Sequence, residues 1–310
     1  MTSLTSARVL VTGGGGFLGR HLVRALRAAG AEILAPRRIE LDLRSEHDVR
    51  VWFHENRPDY VVHAAATSGG IGWMKDHPAD AYVDNVRMAT AVLESAWEVG
   101  VKGLVGVSSA CAYAVDAVQP MQEAHVFAGE PEPTNGPYGH AKRALLVHGA
   151  ALAQQHGFAC SFVVPTNLYG PGDDTGPTRS HLVGALLRRF EDARAQGLRE
   201  VTCWGTGRAT RDLLYAPDCA EGIVAALVAA PGAGPINLGS GVERTVAEIA
   251  RAVAEAVGWE GTIHWDATKP DGMPRKVLDV ARARERLDWT PRTSLAAGLR
   301  ETVAWYRALP

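Results

Sequence analysis

The 310-residue chain carries only four cysteines, and it spaces them as no zinc site would. Cys111, Cys160, Cys203 and Cys219 are scattered singly, so the reading is reduced thiols, a reducing cytoplasm and no structural metal. Neither sign of charge is in excess. A formal net charge of -2 argues against a protein that wraps a polyanion, although it leaves room for a local basic pocket. No apolar run is long enough to span a bilayer. Met1 to Arg8 is short and polar, without the pattern of a signal peptide. Internal repeats, low-complexity tracts and an obvious linker are also missing. What remains is a composition ordinary for a globular protein, long enough for one large domain or two closely joined ones.

The apolar pattern alternates between two periods. Arg8–Thr12 reads as a buried strand, followed at once by glycines. Phe17, Leu18, Leu22, Ala25, Leu26 and Ala29 then recur at helical spacing up to Gly30. Further strands are predicted at Glu32–Ala35, Tyr60–His63, Gly103–Ser109 and Ala159–Thr166. Helices are predicted at Ala79–Val99 and Tyr138–His156. This alternation predicts an α/β fold: a Rossmann-type doubly wound parallel sheet, covered by helices on both faces. The second half is less regular and predicts a smaller α/β C-terminal substrate lobe. Leu168–Gly176 is rich in Gly, Pro and Asp and reads as a loop. His181–Arg194, Thr245–Val257 and Ser294–Ala308 read as helices, and Thr245 with Glu248 forms a capping-box pattern. Short strands are predicted at Val201–Trp204, Asp212–Tyr215, Pro235–Leu238 and Thr262–Trp265.

Gly13, Gly16 and Gly19 stand between the first strand and first helix. Glycines there permit a tight turn and close approach of a diphosphate to the free N–H groups of the helix N-terminus. The second strand ends in Arg37 and Arg38, where an acidic residue would suit NAD and arginines suit the extra phosphate of NADP. Asp42 and Leu43 are placed near the adenine, with Asp42 alternatively capping a helix that starts at Ser45. Tyr138 and Lys142 are four apart on a predicted helix and share one face. An ammonium there favours the phenolate and would bring the phenol toward neutral pH. Ser109 ends the fourth strand, where open α/β sheets present ligands, so Ser109, Tyr138 and Lys142 form a candidate catalytic set.

With these residues, the chain resembles the extended short-chain dehydrogenase/reductases, as do His63-Ala64-Ala65 and Asn85. Longer runs look like the GDP-L-fucose synthase family, whose members are 3,5-epimerase/4-reductases of GDP-4-keto-6-deoxymannose. They are Gly69-Gly70-Ile71, Ser109-Ala110-Cys111-Ala112-Tyr113, Pro165-Thr166-Asn167-Leu168-Tyr169-Gly170-Pro171, Ser180-His181 and Lys269–Lys276. Gly72-Trp73-Met74-Lys75 departs from that pattern, and Gly13–Gly16 lacks the basic residue many relatives carry.

The resemblance implies roles. Ser109 would hydrogen-bond a substrate carbonyl, Tyr138 would transfer its proton, and Lys142 would hold the nicotinamide ribose. Cys111 and His181 would move protons at the two carbons flanking the ketone. NADP(H) would contact Gly13, Gly16, Phe17, Leu18, Gly19, Arg37, Arg38, Asp42, Leu43, Ala64, Ala65, Pro165, Asn167, Leu168 and His181, together with Tyr138 and Lys142. A GDP-linked sugar would contact Asn167, Arg189, Trp204, Arg211 and Lys276, with no metal, nucleic acid or membrane partner. Asp218 would be a structural N-cap. The plain alternative for His181 is a helix-start histidine after a Ser180 cap. Residues 1–167 would form the NADP-binding domain, completed by segments within 211–240, and 168–310 the main part of the nucleotide-sugar lobe. A homodimer joined through the Ala79–Val99 and Tyr138–His156 helices is also implied. Two other readings stay open. One is a related nucleotide-sugar epimerase or 4-ketoreductase with a different sugar or nucleotide. The other is a non-catalytic NADP-sensing module.

Overall fold

The computed structural model describes residues 3–177, 179–229, 232, 234–269 and 271–309; Pro270, within the Lys269–Lys276 run, lies outside them. The first part of the chain forms β1 (Arg8–Thr12), α1 (Phe17–Ala28), β2 (Glu32–Leu34), α2 (Glu46–Asn56), β3 (Tyr60–His63), α3 (Ile71–Asp76), α4 (Pro78–Glu98), β4 (Gly103–Val107), α5 (Gly136–His156) and β5 (Cys160–Pro165). It continues through β6 (Asn167–Tyr169), α6 (Leu182–Ala195), β7 (Glu200–Trp204), β8 (Thr210–Arg211), β9 (Leu213–Tyr215), α7 (Ala216–Val228) and β10 (Pro235–Leu238). The last elements are β11 (Arg244–Thr245), α8 (Val246–Val257), β12 (Thr262–Asp266), β13 (Arg275–Lys276), α9 (Ala281–Leu287) and α10 (Leu295–Arg307).

Six strands make one parallel sheet in the order β10-β5-β4-β3-β1-β2. Its two faces follow from strand periodicity. Val9 and Val11 point to the side covered by α1 and α7, where they meet Leu22, Leu26 and Ile223. Leu10 points to the other side, with Val61 and Leu104, against α2, α4 and α5. Burial on both faces explains why these strands are nearly continuous apolar runs. The fold is the doubly wound α/β arrangement, and the strand order reverses beside β1. Ligands of such sheets bind beyond the strand C-termini near that reversal. Here those ends are Thr12, His63, Val107 and Pro165.

A second cluster joins α6, α8 and α10 to β7 and β9 through Phe190, Val201, Ile249, Val253 and Leu299. Asn237 on β10 ties this later chain to the segment after β4. Its Nδ2 donates to the carbonyls of Met121 (2.8 Å) and Asp279 (3.0 Å), its Oδ1 accepts from Tyr113 Oη (2.7 Å), and its N–H donates to Glu123 Oε1 (2.9 Å).

Several local expectations change. The start of the expected loop at Leu168–Gly176 is ordered as β6, paired with β9, because its Tyr169 is buried in the second cluster. Asp218 does not cap α7, whose N-cap position is Tyr215; its carboxylate instead accepts from Thr293 N and Oγ1, both at 2.9 Å. His181, not Ser180, is the N-cap residue of α6, and its side chain makes no capping bond. Asp42 caps nothing: Ser45 caps α2, and Asp42 takes the guanidinium of Arg44 at 2.6 Å. The Thr245–Glu248 capping box is present as expected.

Candidate active site

The glycine turn is built for close approach. Gly13 has φ +71°, and a Cβ there would come within 2.8 Å of Ala65 Cα at the end of β3. A Cβ on Gly19 would lie 2.0 Å from the Gly13 carbonyl oxygen, so only glycine lets α1 start this tightly against the turn. Helix α1 begins at Gly16 with no side-chain cap, which leaves its N-terminal N–H groups available to an anion. Below the turn, Thr12 Oγ1 accepts from Ala65 N (3.2 Å) and pairs with His63 Nδ1 (2.9 Å). Burial lowers the His63 pKa to about 3, with the Lys142 charge acting in the same direction, so the ring stays neutral. These features fit a dinucleotide diphosphate. At the tip of β2, Arg37 is engaged by Glu40 through its side chain (2.9 Å) and backbone N–H (2.7 Å). Arg38 makes no ion pair among the described residues.

Beyond β4 the backbone stays extended at Ser109, whose Oγ accepts from Cys111 N at 3.2 Å and so caps the short turn that carries the thiol. Helix α5 is pressed against that turn. A Cβ on Gly139 would lie 2.4 Å from the Cys111 carbonyl oxygen, and Arg143 Nε donates to the Ala112 carbonyl at 2.7 Å. Tyr138, the residue before Gly139, is thereby buried beside Cys111, Met74 and Ala81. Lys142 lies one turn further along, with Nζ donating to the Val107 carbonyl (2.9 Å) and standing 5.6 Å from the centre of the Tyr138 ring.

The charge relation differs from the sequence expectation. Burial drives the Tyr138 phenol well above its usual value, Cys111 adds to this, and the Ser109 hydroxyl opposes it. Lys142 is itself lowered to about 8 by burial, against an opposing effect of Cys111. Desolvation outweighs the cation–phenol attraction that the spacing promised. Tyr138 therefore keeps its proton at neutral pH and holds it more tightly than a free phenol would.

His181 is exposed, yet its ring is partly desolvated by the surrounding chain. That desolvation lowers its pKa, Lys276 lowers it further, and Asp174 acts the other way. Lys276 also reaches the thiol, with Nζ donating to Cys111 Sγ at 3.3 Å. Lys276 thus links the Ser109, Cys111, Tyr138 and Lys142 group to His181. Arg211 lies beside Lys276 across the β8–β13 pairing, and its guanidinium donates to the carbonyls of Thr210, Met273 (both 2.7 Å) and Asp271 (3.0 Å). Arg189 donates to the Thr202 carbonyl, at 2.6 Å. Trp204 at the end of β7 is 64% exposed, with Lys269 Nζ 5.8 Å from its ring centre, so it is no core tryptophan. Asn167 donates to the Asp212 carbonyl at 3.2 Å. Among the described residues, no group of three His, Cys, Asp or Glu side chains could hold a metal ion.

A family model, the NAD dependent epimerase/dehydratase family, matches residues 9–239, from β1 to just past β10. The chain belongs to the NAD dependent epimerase/dehydratase family. It is 41% identical over 302 residues to GDP-L-fucose synthase 1 of Arabidopsis thaliana, covering 97% of this chain and 93% of that protein. It is 37% identical over 313 residues to the GDP-L-fucose synthase of Escherichia coli strain K12, covering 98% and 97%. A crystal structure of a GDP-L-fucose synthetase from Naegleria fowleri bound to NADP matches with a TM-score of 0.89 at 25% identity, covering 99% of this chain and 96% of that one.

On this epimerase/dehydratase framework, the unusual Gly72–Lys75 segment packs beside Tyr138. Met74 of α3 is buried against Tyr138, and Trp73 packs in the same cluster. Gly70 N donates to the Arg179 carbonyl (3.1 Å), Arg179 Nη2 donates to the Ser68 carbonyl (2.8 Å), and the guanidinium lies 5.6 Å from the Trp73 ring centre. These contacts fasten the segment before α3 to the approach to His181. The departure of Gly72–Lys75 from the family pattern was the available signal. Sequence reasoning missed Asp173: it is 6% exposed, its Oδ2 has no partner, and burial raises its pKa to about 7.

Proposed function

We propose that the chain catalyses 3,5-epimerisation and NADPH-dependent 4-keto reduction of a GDP-4-keto-6-deoxyhexose, giving GDP-L-fucose or a close relative. The observation that supports this reading is the contact of Lys276 with Cys111 beside Tyr138, and its nearness to His181. Ser109, Tyr138 and Lys142 suit carbonyl reduction, while Cys111 and His181 add two further groups able to move protons. The GDP-L-fucose synthases among the relatives support the GDP-linked sugar, and the NADP-bound neighbour supports the cofactor.

Hydrogens on carbons 3 and 5 are acidified by the ketone at carbon 4. One of Cys111 and His181 takes such a proton, the C–H electrons move onto the carbonyl oxygen, and the other returns a proton to the opposite face. Ser109 donates a hydrogen bond to the oxygen while it carries charge. Gly13, Gly16, Gly19 and the α1 N-terminus would hold the cofactor diphosphate, Arg38 its extra phosphate, and Lys142 its ribose. NADPH would supply the two electrons and the hydrogen that carbon 4 gains. Tyr138, protonated at neutral pH, gives its proton to the carbonyl oxygen. Arg189, Trp204, Arg211 and Lys276 face the nucleotide-sugar side, where arginine suits a diphosphate and an indole suits a base or sugar face.

Incubation with GDP-4-keto-6-deoxymannose and NADPH in D₂O tests this reading. Deuterium at carbons 3 and 5, with matching NADPH loss, is expected. Tyr138→Phe should abolish NADPH loss and spare the labelling. Unchanged reduction by Tyr138→Phe would refute Tyr138 as the acid, and unlabelled product would leave only the reductase role.

The same reading takes residues 1–167, completed by α7 and β10, as the cofactor part and most of 168–310 as the sugar part. It places the enzyme in the cytoplasm, in keeping with four unpaired thiols. It joins two copies through α4 and α5, where exposed Tyr82 and Val147 border an open depression of about 960 Å³. A sedimentation mass of one chain at micromolar concentration would refute the dimer.

A further inference from the structure

We propose that Lys276 is a positioning residue for proton transfer at carbon, serving as the counter-cation of the Cys111 sulfur instead of a ligand of the diphosphate. This rests on the reading of Cys111 as one of the two proton-moving groups.

The placement follows from strand pairing. Lys276 pairs in parallel register with Arg211 on β8, and Asp212 N donates to the Lys276 carbonyl at 3.0 Å. The next residues are anchored to the loop after Cys111: Met121 N donates to the Val277 carbonyl (2.8 Å), Val277 N to Gln119 Oε1 (3.0 Å), and Asp279 N to the Met121 carbonyl (2.9 Å). Backbone bonds on both sides thus hold the lysine at the mouth of the Cys111 turn. Its ammonium donates to Sγ at 3.3 Å. Arg211, the neighbouring cation, has its guanidinium taken by three carbonyls, which leaves Lys276 as the cation free to follow the sulfur.

The charged and titratable groups around the thiol are Lys276 from β13, Arg211 from β8, and Lys142 and Tyr138 from α5. Those around His181 are Lys276 and Asp174. Among the described residues, Lys276 is the charged group that faces both. When carbon loses a proton to sulfur, or sulfur returns one, the charge on sulfur changes within hydrogen-bond reach of a fixed ammonium. The same ammonium disfavours a charged imidazole at His181, which makes that ring a readier proton donor once it is protonated. One lysine would thereby bias the two faces of the sugar in opposite directions.

Alkylation of the substrate-free enzyme by iodoacetamide tests this without any contribution from diphosphate binding. Cys160, Cys203 and Cys219 are buried, so Cys111 dominates the reaction, and Cys111→Ser provides the blank. Lys276→Gln should slow alkylation at pH 7 by about tenfold or more and move the rate–pH curve to higher pH. Lys276→Arg should restore most of the rate. Unfolding profiles of both variants should match the parent, since the side chain is not part of the core. An alkylation curve for Lys276→Gln that overlays the parent would overturn the proposal. If that curve shifts while Cys111→Ser still incorporates deuterium at carbons 3 and 5, the pairing stands and the catalytic reading of Cys111 falls.

Discussion

Two buried groups near the candidate site should pull stability in opposite directions as pH changes. His63 is 2% exposed and Asp173 6%, so solvent screens neither charge appreciably. Between its ordinary 6.5 and about 3, His63 is protonated only in the unfolded chain. The unfolded state then binds one more proton, and stability falls as pH falls. Between its ordinary 3.8 and about 7, Asp173 keeps its proton only in the folded chain, so stability falls as pH rises. Each slope is about 1.4 kcal/mol per pH unit, and the slopes cancel across the window the two groups share. Single variants should unmask them. Urea unfolding at pH 6.5 and pH 4.5 is the assay. The stability deficit of His63→Gln should shrink by roughly 2–3 kcal/mol on going to the lower pH. Asp173→Asn should gain roughly 2–3 kcal/mol on the parent going the other way. If each variant keeps the same gap to the parent at both pH values, the burial argument is wrong for both residues.

Tyr113→Phe should cost about 1–2 kcal/mol, because Asn237 Oδ1 is left buried without its donor. Asn237→Ala should cost more, and a double-mutant cycle by urea unfolding should give a non-zero coupling; strict additivity would contradict the network. Gly19→Ala should weaken NADPH binding by about tenfold or more, because the new Cβ meets the Gly13 carbonyl oxygen. A fluorescence titration matching the parent would show that the turn relaxes instead.

The sheet was legible in the sequence because its strands are apolar runs punctuated by glycine and by helical periodicity. Helix α7 was not, since Ala216–Val228 is buried along most of its length and shows no polar stripe. Strands β6, β8, β11 and β13 are two or three residues long, too short to show a period of two. In the site, residue type pointed to Ser109, Cys111, Tyr138, Lys142 and His181. What residue type could not supply was the dielectric around them. Tyr138 and Lys142 at helical spacing suggested a phenol drawn toward neutral pH, whereas burial of both side chains raises the phenol and lowers the ammonium instead. Nor does any local pattern announce the contact of Lys276 with Cys111, which joins residues 165 positions apart through a two-residue strand.

The edge strand β10 has a practical meaning for engineering. It is made from chain that has already travelled through β6 to β9 and α6, and it returns to close the sheet beside β5. A fragment ending near residue 167 would therefore expose the apolar flank of β5 and leave α1 without α7. The sugar-facing half is consequently not a cassette that can be cut out and exchanged at one junction. A graft from another enzyme would need at least two crossover points, one on each side of the α7–β10 return, and would have to present a carbonyl where Asp279 accepts from Asn237.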